Sequence, residues 1–204
     1  MQKLETFTYG NLYHLYNRGI NSCNIFNEDD NYRYFLSLYE KYVDPIAETY
    51  AWVLMPNHFH FLVRVKEDST PVGVLNPDGD RIRTPSQQLS KLFNAYAQAF
   101  NKRFDRHGSL FERPFKRKLI EGEDFFKNVL LYIHNNPVHH GFRTHPEEYQ
   151  WSSYLDYLTD NSSKLPRKEV MELFGDEANF KFVHDEKAEM EKISEGLENK
   201  LTGY

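Results

Sequence analysis

The stretch AWVLMPNHFHFLVRV, Ala51 to Val65, constrains the fold more than any other part of the chain. Two apolar runs flank Pro56-Asn57, a pair of turn formers. Ile46–Met55 and His58–Val65 are therefore expected to be the two strands of an antiparallel hairpin. Side chains on a strand alternate between faces. Phe59, Phe61, Val63 and Val65 share one wholly apolar face, which must meet helices. His58, His60, Leu62 and Arg64 point the other way. Two imidazoles at i and i+2 stand about 6–7 Å apart at the backbone, so their tips can converge on one metal ion. For an isolated His-x-His pair, hydrogen bonding to neighbours is the commoner role. The rest of the chain has to decide.

Around the hairpin, Leu12–Arg18 alternates as a first strand and ends at Gly19. Asn27–Val43 has the helical stripe Tyr32, Phe35, Leu36, Tyr39, Tyr42 and Val43, with Asn27 or Asp29 as N-cap. Lys66–Pro85, rich in Pro, Gly, Asp and Thr, reads as a long surface loop. Ser86 is expected to cap a helix to Phe104, with Leu89, Leu92, Phe93, Tyr96 and Phe100 buried. Phe115–Ile120 is a fourth strand, and Asp124–Asn135 a third helix stopped by Pro137. Short helices are expected at Ser152–Leu158, Arg167–Phe174 and after Asn179. The order β-α-β-β-α-β-α predicts an α+β fold: a ferredoxin-like (RRM-like) antiparallel sheet with helices on one face, its other face free for a ligand, plus a C-terminal helical appendage. The expected division is a domain over 1–158 and an acidic, mainly helical extension over 159–204.

A chain of 204 residues is long enough to bury a real core. Its single cysteine, Cys23, excludes an internal disulfide framework and any multi-cysteine zinc site. No apolar run approaches the roughly 20 residues that span a bilayer, and the N-terminal residues show no signal-peptide core. No membrane partner and a cytoplasmic location are expected. The net charge of −5 conceals an asymmetry. Lys102, Arg103, Arg106, Arg113, Lys116, Arg117 and Lys118 form a basic centre opposed only by Asp105 and Glu112, whereas acidic residues outnumber basic ones after Asp160. A basic segment is most often a solvated face. Interleaved with Phe104, Phe111 and Phe115, it also suits phosphates whose bases stack on aromatic rings. Arg18, at a strand end, is equally placed to reach a DNA backbone or an acidic neighbour.

The second constellation is LLYIHNNPVHHG, Leu130 to Gly141. Phe126, Val129, Leu130 and Ile133 make the core stripe of this helix. Tyr132 and Asn136, four residues apart, stack on one flank beside it. There a phenol can face a neighbouring surface, and the Asn136 amide oxygen can reach a metal. Most helical tyrosines are packing residues, and Tyr132 is one of 14 tyrosines, so geometry alone does not select it. His14, on a face with Tyr16, reads first as a packed histidine and second as a neighbour of the metal. His139 and His140 lie beyond Pro137 and are set apart from the ligand set.

Taken together, YHLYNRG (Tyr13–Gly19), AWVLMPNHFHFLV (Ala51–Val63), LFERPFKRKLI (Leu110–Ile120), YIHNNPVHHG (Tyr132–Gly141) and WSSY (Trp151–Tyr154) resemble the HUH-type (histidine–hydrophobe–histidine) single-tyrosine transposases. These are the IS200/IS605-like enzymes, and the likeness is to their REP-associated tyrosine transposase branch. The resemblance covers roughly residues 8–158, and it is the combination of motifs that is specific. It implies a transposase that nicks and rejoins single-stranded DNA bearing a hairpin (REP-like) structure, with the histidine motif on a central strand. It places Tyr132 at the nucleophile position, giving a 5′-phosphotyrosine intermediate. His58, His60 and Asn136 match the positions that hold Mg²⁺ or Mn²⁺, and Arg18 and the seven basic residues of the centre would contact DNA. Lys66–Pro85 and the residues after Asp160 depart from the short insertion-sequence enzymes and bear on substrate choice and assembly. Such enzymes include obligate dimers that lend the tyrosine helix to the partner, and monomers; a homodimer stays open here.

Two other classes compete. An RRM-type module would bind single-stranded RNA on the sheet, but no RNP-like run occurs and histidines occupy its face. A related possibility is a domesticated protein that binds a hairpin and does not cut it. A zinc hydrolase would need a third ligand at short spacing, as in His-Glu-x-x-His, which is absent.

Overall fold

Alternation along His58–Val65 is realised residue by residue in the computed structural model, which describes residues 5–67, 84–159 and 164–186, while the strand paired with it shifts register between Thr49 and Ala51. Most of the loop expected over Lys66–Pro85, and the end of the acidic extension, lie outside the described residues. β2 (Ala47–Met55) and β3 (His58–Val65) pair antiparallel, with Met55 opposite His58 across the turn. β1 (Leu12–Arg18) runs antiparallel along the other side of β3 and sets Arg18 opposite His58 and Tyr16 opposite His60. β4 (Lys116–Ile120) pairs with the outer side of β1. The order is β2-β3-β1-β4, antiparallel throughout, so the two histidines sit on a central strand. Part of the outer edge of β2 is covered by the WSSY segment: Leu54 N–H donates to the Trp151 carbonyl at 2.9 Å and Ser153 N–H to the Trp52 carbonyl at 3.0 Å. Covering an edge in this way removes a site for unwanted strand pairing.

The apolar face of β3 meets α1 (Asp29–Tyr42) and α2 (Pro85–Arg103) as the alternation requires. Phe59, Phe61, Val63, Val65, Tyr13 and Leu15 join Phe35, Tyr39, Leu89, Leu92, Tyr96 and Phe100 in one buried cluster. Burying a Phe or Leu side chain contributes about 1.5–3 kcal/mol, so this face carries much of the stability. The caps differ from expectation. α1 is capped by Glu28, in a reciprocal box with Asn31, rather than by Asn27 or Asp29; the longer carboxylate still reaches the third helical N–H. α2 is capped by Thr84, boxed with Gln87, because Pro85 fits the first helical position. Ser86 lies inside the helix.

Two further corrections matter for function. α3 runs from Glu123 to His139, through Pro137, instead of stopping at Asn135. Proline in the final turn removes one intrahelical bond, which packing on both sides of the helix offsets. The helices also do not all lie on one face. α1 and α2 do, but α3 covers the opposite face: Val129, Leu130 and Ile133 pack on Ala51, Val53, Met55 and Leu62. α4 (Tyr154–Leu158), α5 (Arg167–Phe174) and α6 (Glu177–Asp185) join the same cluster through Tyr157, Val170, Phe174 and Phe180. The histidine face is therefore roofed by the helix that carries Tyr132. Among the described residues, no helix is long and apolar enough to cross a membrane.

Candidate functional site

β3 presents His58 and His60 on the face that α3 covers, and α3 brings Tyr132 and Asn136 down onto them. The His60 and Tyr132 rings meet edge to face with centroids 5.3 Å apart. His58 and His60 are themselves 5.2 Å apart, near perpendicular. His58 Nε2 lies 2.8 Å from Asn136 Oδ1. All four residues singled out for chemistry are thus brought together within one chain. Tyr132 is only 5% exposed and Asn136 is fully buried.

Burial decides the protonation of this cluster. Desolvation pushes His58 down to about 4, an effect the Asn136 contact opposes and the nearby His140 and Arg18 reinforce. Desolvation likewise holds His60 well below its ordinary value, with His14, His58 and His140 adding to the effect. Both imidazoles are neutral at pH 7, the form in which histidine offers a lone pair.

A neutral imidazole has one N–H. Both ring nitrogens of His58 nevertheless face carboxamide oxygens, Nδ1 at 2.7 Å from Asn57 Oδ1 and Nε2 at 2.8 Å from Asn136 Oδ1. One of these contacts sets two lone pairs against each other. The Asn136 amide nitrogen is meanwhile buried with no hydrogen-bond partner. Turning the carboxamide over satisfies the pair without a ligand; a cation held by His58 and Asn136 satisfies it in the orientation observed. The donor set of two imidazole nitrogens and one amide oxygen leaves coordination positions open for substrate and water. The residues fit a divalent cation on this ground. Among the described residues, no three His, Cys, Asp or Glu side chains form a metal-holding cluster, so a cation held by His58 and His60 would need Asn136 as its third ligand.

His14 is packed directly against His60. It is fully buried, desolvation lowers it to about 3, and its Nε2 lies 2.9 Å from His60 Nδ1. Its Nδ1 has no partner. For His60 to keep a lone pair on Nε2, its Nδ1–H must donate to His14, which leaves the proton of His14 on that unpartnered nitrogen. A buried unpaired donor is costly, so this tautomer of the histidine pair carries a penalty. His140, set apart in the sequence reading, comes within 5.0 Å of the His58 ring because α3 continues past Pro137.

The comparisons with known proteins bear on what this cluster is. No family model matches the chain. A Haemophilus influenzae protein that carries the provisional name REP-associated tyrosine transposase is 28% identical over 109 residues, 52% of this chain and 58% of that protein. The match therefore covers less than two thirds of the relative's length. A solved structure described as a REP-associated tyrosine transposase bound to a REP hairpin aligns with a TM-score of 0.53 at 15% identity, over 78% of this chain and 86% of that one. That second likeness is one of fold. The chain is similar to the REP-associated tyrosine transposases.

Most of the basic residues expected to contact DNA have partners within the chain. Arg18 takes the acidic neighbour: its Nε lies 2.6 Å from a Glu112 carboxylate oxygen. Arg103 pairs with Glu28 at 3.0 Å and Lys118 with Glu5 at 3.6 Å. Arg117 donates to the Glu5 carbonyl and sits 4.4 Å over the Phe7 ring. Arg106 donates to Asn101 at 3.3 Å, and Lys116 lies 5.8 Å over the Tyr16 ring. Lys102 and Arg113 are exposed. Arg113 borders a groove of about 840 Å³ between α2 and residues 108–115, lined also by Phe93, Asn94, Gln98 and Phe115. This groove is separate from the histidine cluster.

Sequence reasoning missed Asn57 and Glu112, which anchor His58 and Arg18. Asn57 was legible in principle, since a turn residue directly before the histidine strand is well placed to hold the first imidazole. Gly19 is also fixed by packing, because a Cβ there would fall 2.0 Å from the Cys23 carbonyl oxygen.

Proposed function

We propose that this protein is a metal-dependent DNA transposase that nicks and rejoins hairpin-bearing single-stranded DNA through Tyr132. One observation carries the reading: a single chain gathers Tyr132, His60, His58 and Asn136 into one cluster, with the phenol ring 5.3 Å from the His60 ring. The similarity in sequence and fold to REP-associated tyrosine transposases supports it. Residues 1–158 would carry the chemistry and 159–204 would form an extension packed on it. Proximity of Tyr132 to His60 within one chain favours an active site built by a single protomer.

His58, His60 and Asn136 would hold Mg²⁺ or Mn²⁺. Bound there, the cation would polarise a non-bridging oxygen of the scissile phosphate. The Tyr132 oxygen would form a bond to phosphorus as the P–O3′ bond breaks, giving a 5′-phosphotyrosyl link. The phenol proton leaves during attack, and the departing 3′ oxygen takes up a proton. Because the link conserves the phosphodiester, a 3′-OH of another strand can reverse the step and rejoin DNA. His14 would fix the His60 ring and Asn57 the His58 ring, the supporting contacts that metal-binding histidines ordinarily require. Tyr132 is 5% exposed, so access of a phosphate to it would require the surrounding side chains to move. Lys102 and Arg113, with the aromatic rings of the α2 groove, would hold the strand leading to the site.

That burial favours a second reading, a hairpin-binding protein that does not cut. One experiment separates them: incubation of a labelled single-stranded hairpin oligonucleotide with Mn²⁺, followed by denaturing electrophoresis. Covalent attachment in the wild type and its loss in Tyr132→Phe, with hairpin binding retained, is the expected result. Binding without attachment would establish the second reading, and attachment by Tyr132→Phe would remove Tyr132 from its role.

A further inference from the structure

Pro137 creates a mechanical problem for the helix that carries the cluster. It has no N–H to give the Ile133 carbonyl, so the ladder of α3 lacks a bond in the stretch that separates Tyr132 from Asn136. The relative aim of the two side chains then depends on what grips the helix from outside.

The grip is a chain of buried hydrogen bonds centred on His134. Two residues from both Tyr132 and Asn136, His134 projects from the opposite side of α3 and is fully buried. Its Nε2 lies 2.9 Å from Ser153 Oγ, and its Nδ1 lies 3.0 Å from His184 Nε2 on α6. His184 Nδ1 is 2.7 Å from the Phe180 carbonyl, an acceptor only. This last contact sets the ring protons of the chain: His184 Nδ1–H donates to Phe180, His184 Nε2 accepts from His134 Nδ1–H, and His134 Nε2 is left to accept from the Ser153 hydroxyl, which is nearer to it than to its other acceptor, the Trp52 carbonyl at 3.3 Å. Ser153 Oγ in turn accepts the Trp52 N–H at 2.8 Å, which ties the chain to β2. All four ring nitrogens are satisfied, in contrast to His14.

We propose that His134 and His184 are positioning residues: the hydrogen-bonded chain from β2 through α3 to α6 holds the proline-weakened helix so that Tyr132 and Asn136 address the β3 histidines together. The proposal rests on the reading of α3 as the helix bearing nucleophile and metal ligand. It gives α6, which lies beyond the motifs that carry the resemblance, a role in the chemistry.

The test compares His184→Leu, which fills the space without hydrogen bonds, with His184→Gln, whose amide oxygen replaces the acceptor Nε2. Two quantities are read in the full chain: hydrogen exchange of peptides covering residues 129–139, and the rate of covalent attachment to a hairpin oligonucleotide with Mn²⁺. Exchange in α3 is expected to rise about tenfold in His184→Leu. Attachment should slow by about tenfold or more through loss of aim. Hairpin affinity should hold, and the Gln variant should recover both. Equal behaviour of the Leu and Gln variants, or wild-type exchange in α3 of the Leu variant, would overturn the proposal. If wild-type protein forms no covalent link, the transposase reading fails while the exchange data still judge the clamp. Should His184→Leu not fold, Ser153→Ala removes both the hydroxyl that faces His134 and the acceptor of the Trp52 N–H, cutting the chain at its β2 end, and unchanged exchange in α3 there would overturn the proposal as well.

Discussion

The two faces of the sheet are built from different materials. On the α1–α2 side, Phe59 and Phe61 stack against Phe35, Tyr39 and Phe93 in a dry aromatic layer. On the α3 side a second buried apolar cluster adjoins the polar side chains of His14, His60, His134, Asn136 and His184, all buried as well. Buried polar groups cost stability unless paired, and here the pairing is incomplete, with His14 Nδ1 and the Asn136 amide nitrogen unmatched. The first face holds the fold. The second encloses neutral imidazoles and a carboxamide beside the Tyr132 ring.

This division can be broken by substitution. The largest effect is expected from Tyr132→Phe, which should lower covalent attachment by about a thousandfold or more, on the scale of lost nucleophiles. Unfolding temperature and hairpin affinity should stay close to wild type. Phe61→Ala should do the reverse. It should cost about 3–5 kcal/mol in urea unfolding, the usual penalty for emptying an aromatic core site, while attachment per folded molecule is unchanged. Loss of attachment with full stability in Phe61→Ala would break the comparison.

The middle-sized effect concerns His14. His14→Phe keeps the ring volume and removes the hydrogen bond to His60. Mn²⁺ affinity, measured by titration calorimetry, is expected to weaken about 10- to 100-fold, as for other outer-shell partners. Unchanged affinity would reduce His14 to packing.

The faces should also differ in their response to acid. His14 and His184 are lowered by burial to about 3 and His58 to about 4, from an ordinary value of 6.5. Above pH 6.5 both folded and unfolded chains leave these rings neutral, so they add no pH dependence. Below it the unfolded chain binds protons that the folded chain refuses. Stability should therefore fall by up to about 1.4 kcal/mol per pH unit for each such histidine, levelling only near the folded values. Urea midpoints at pH 7 and pH 5 test the sign. A midpoint that does not fall, or a fall not reduced in a His184→Gln variant, would contradict the assignment. The smallest effect is reserved for the surface. Lys102→Ala and Arg113→Ala should each flatten the salt dependence of hairpin binding by about 0.7 log units per log salt, and no change would exclude phosphate contact there.

Much of this was legible in the sequence. The Pro56-Asn57 turn and the alternation after it fixed β2, β3 and the faces of their side chains, and helical spacing marked α1 and α2 to within a residue or two. Tyr132 and Asn136 were placed on one flank by their four-residue spacing, and the histidines on one face by their two-residue spacing. Alternation names a face, however, and not what covers it. That α3 roofs the histidines and buries Tyr132, that it continues through Pro137, and that Arg18 turns to Glu112 were settled by packing. So were the bonds of His60 to His14 and of His134 to His184. A neutral imidazole accepts many partners, and only the close approach of distant segments selects one.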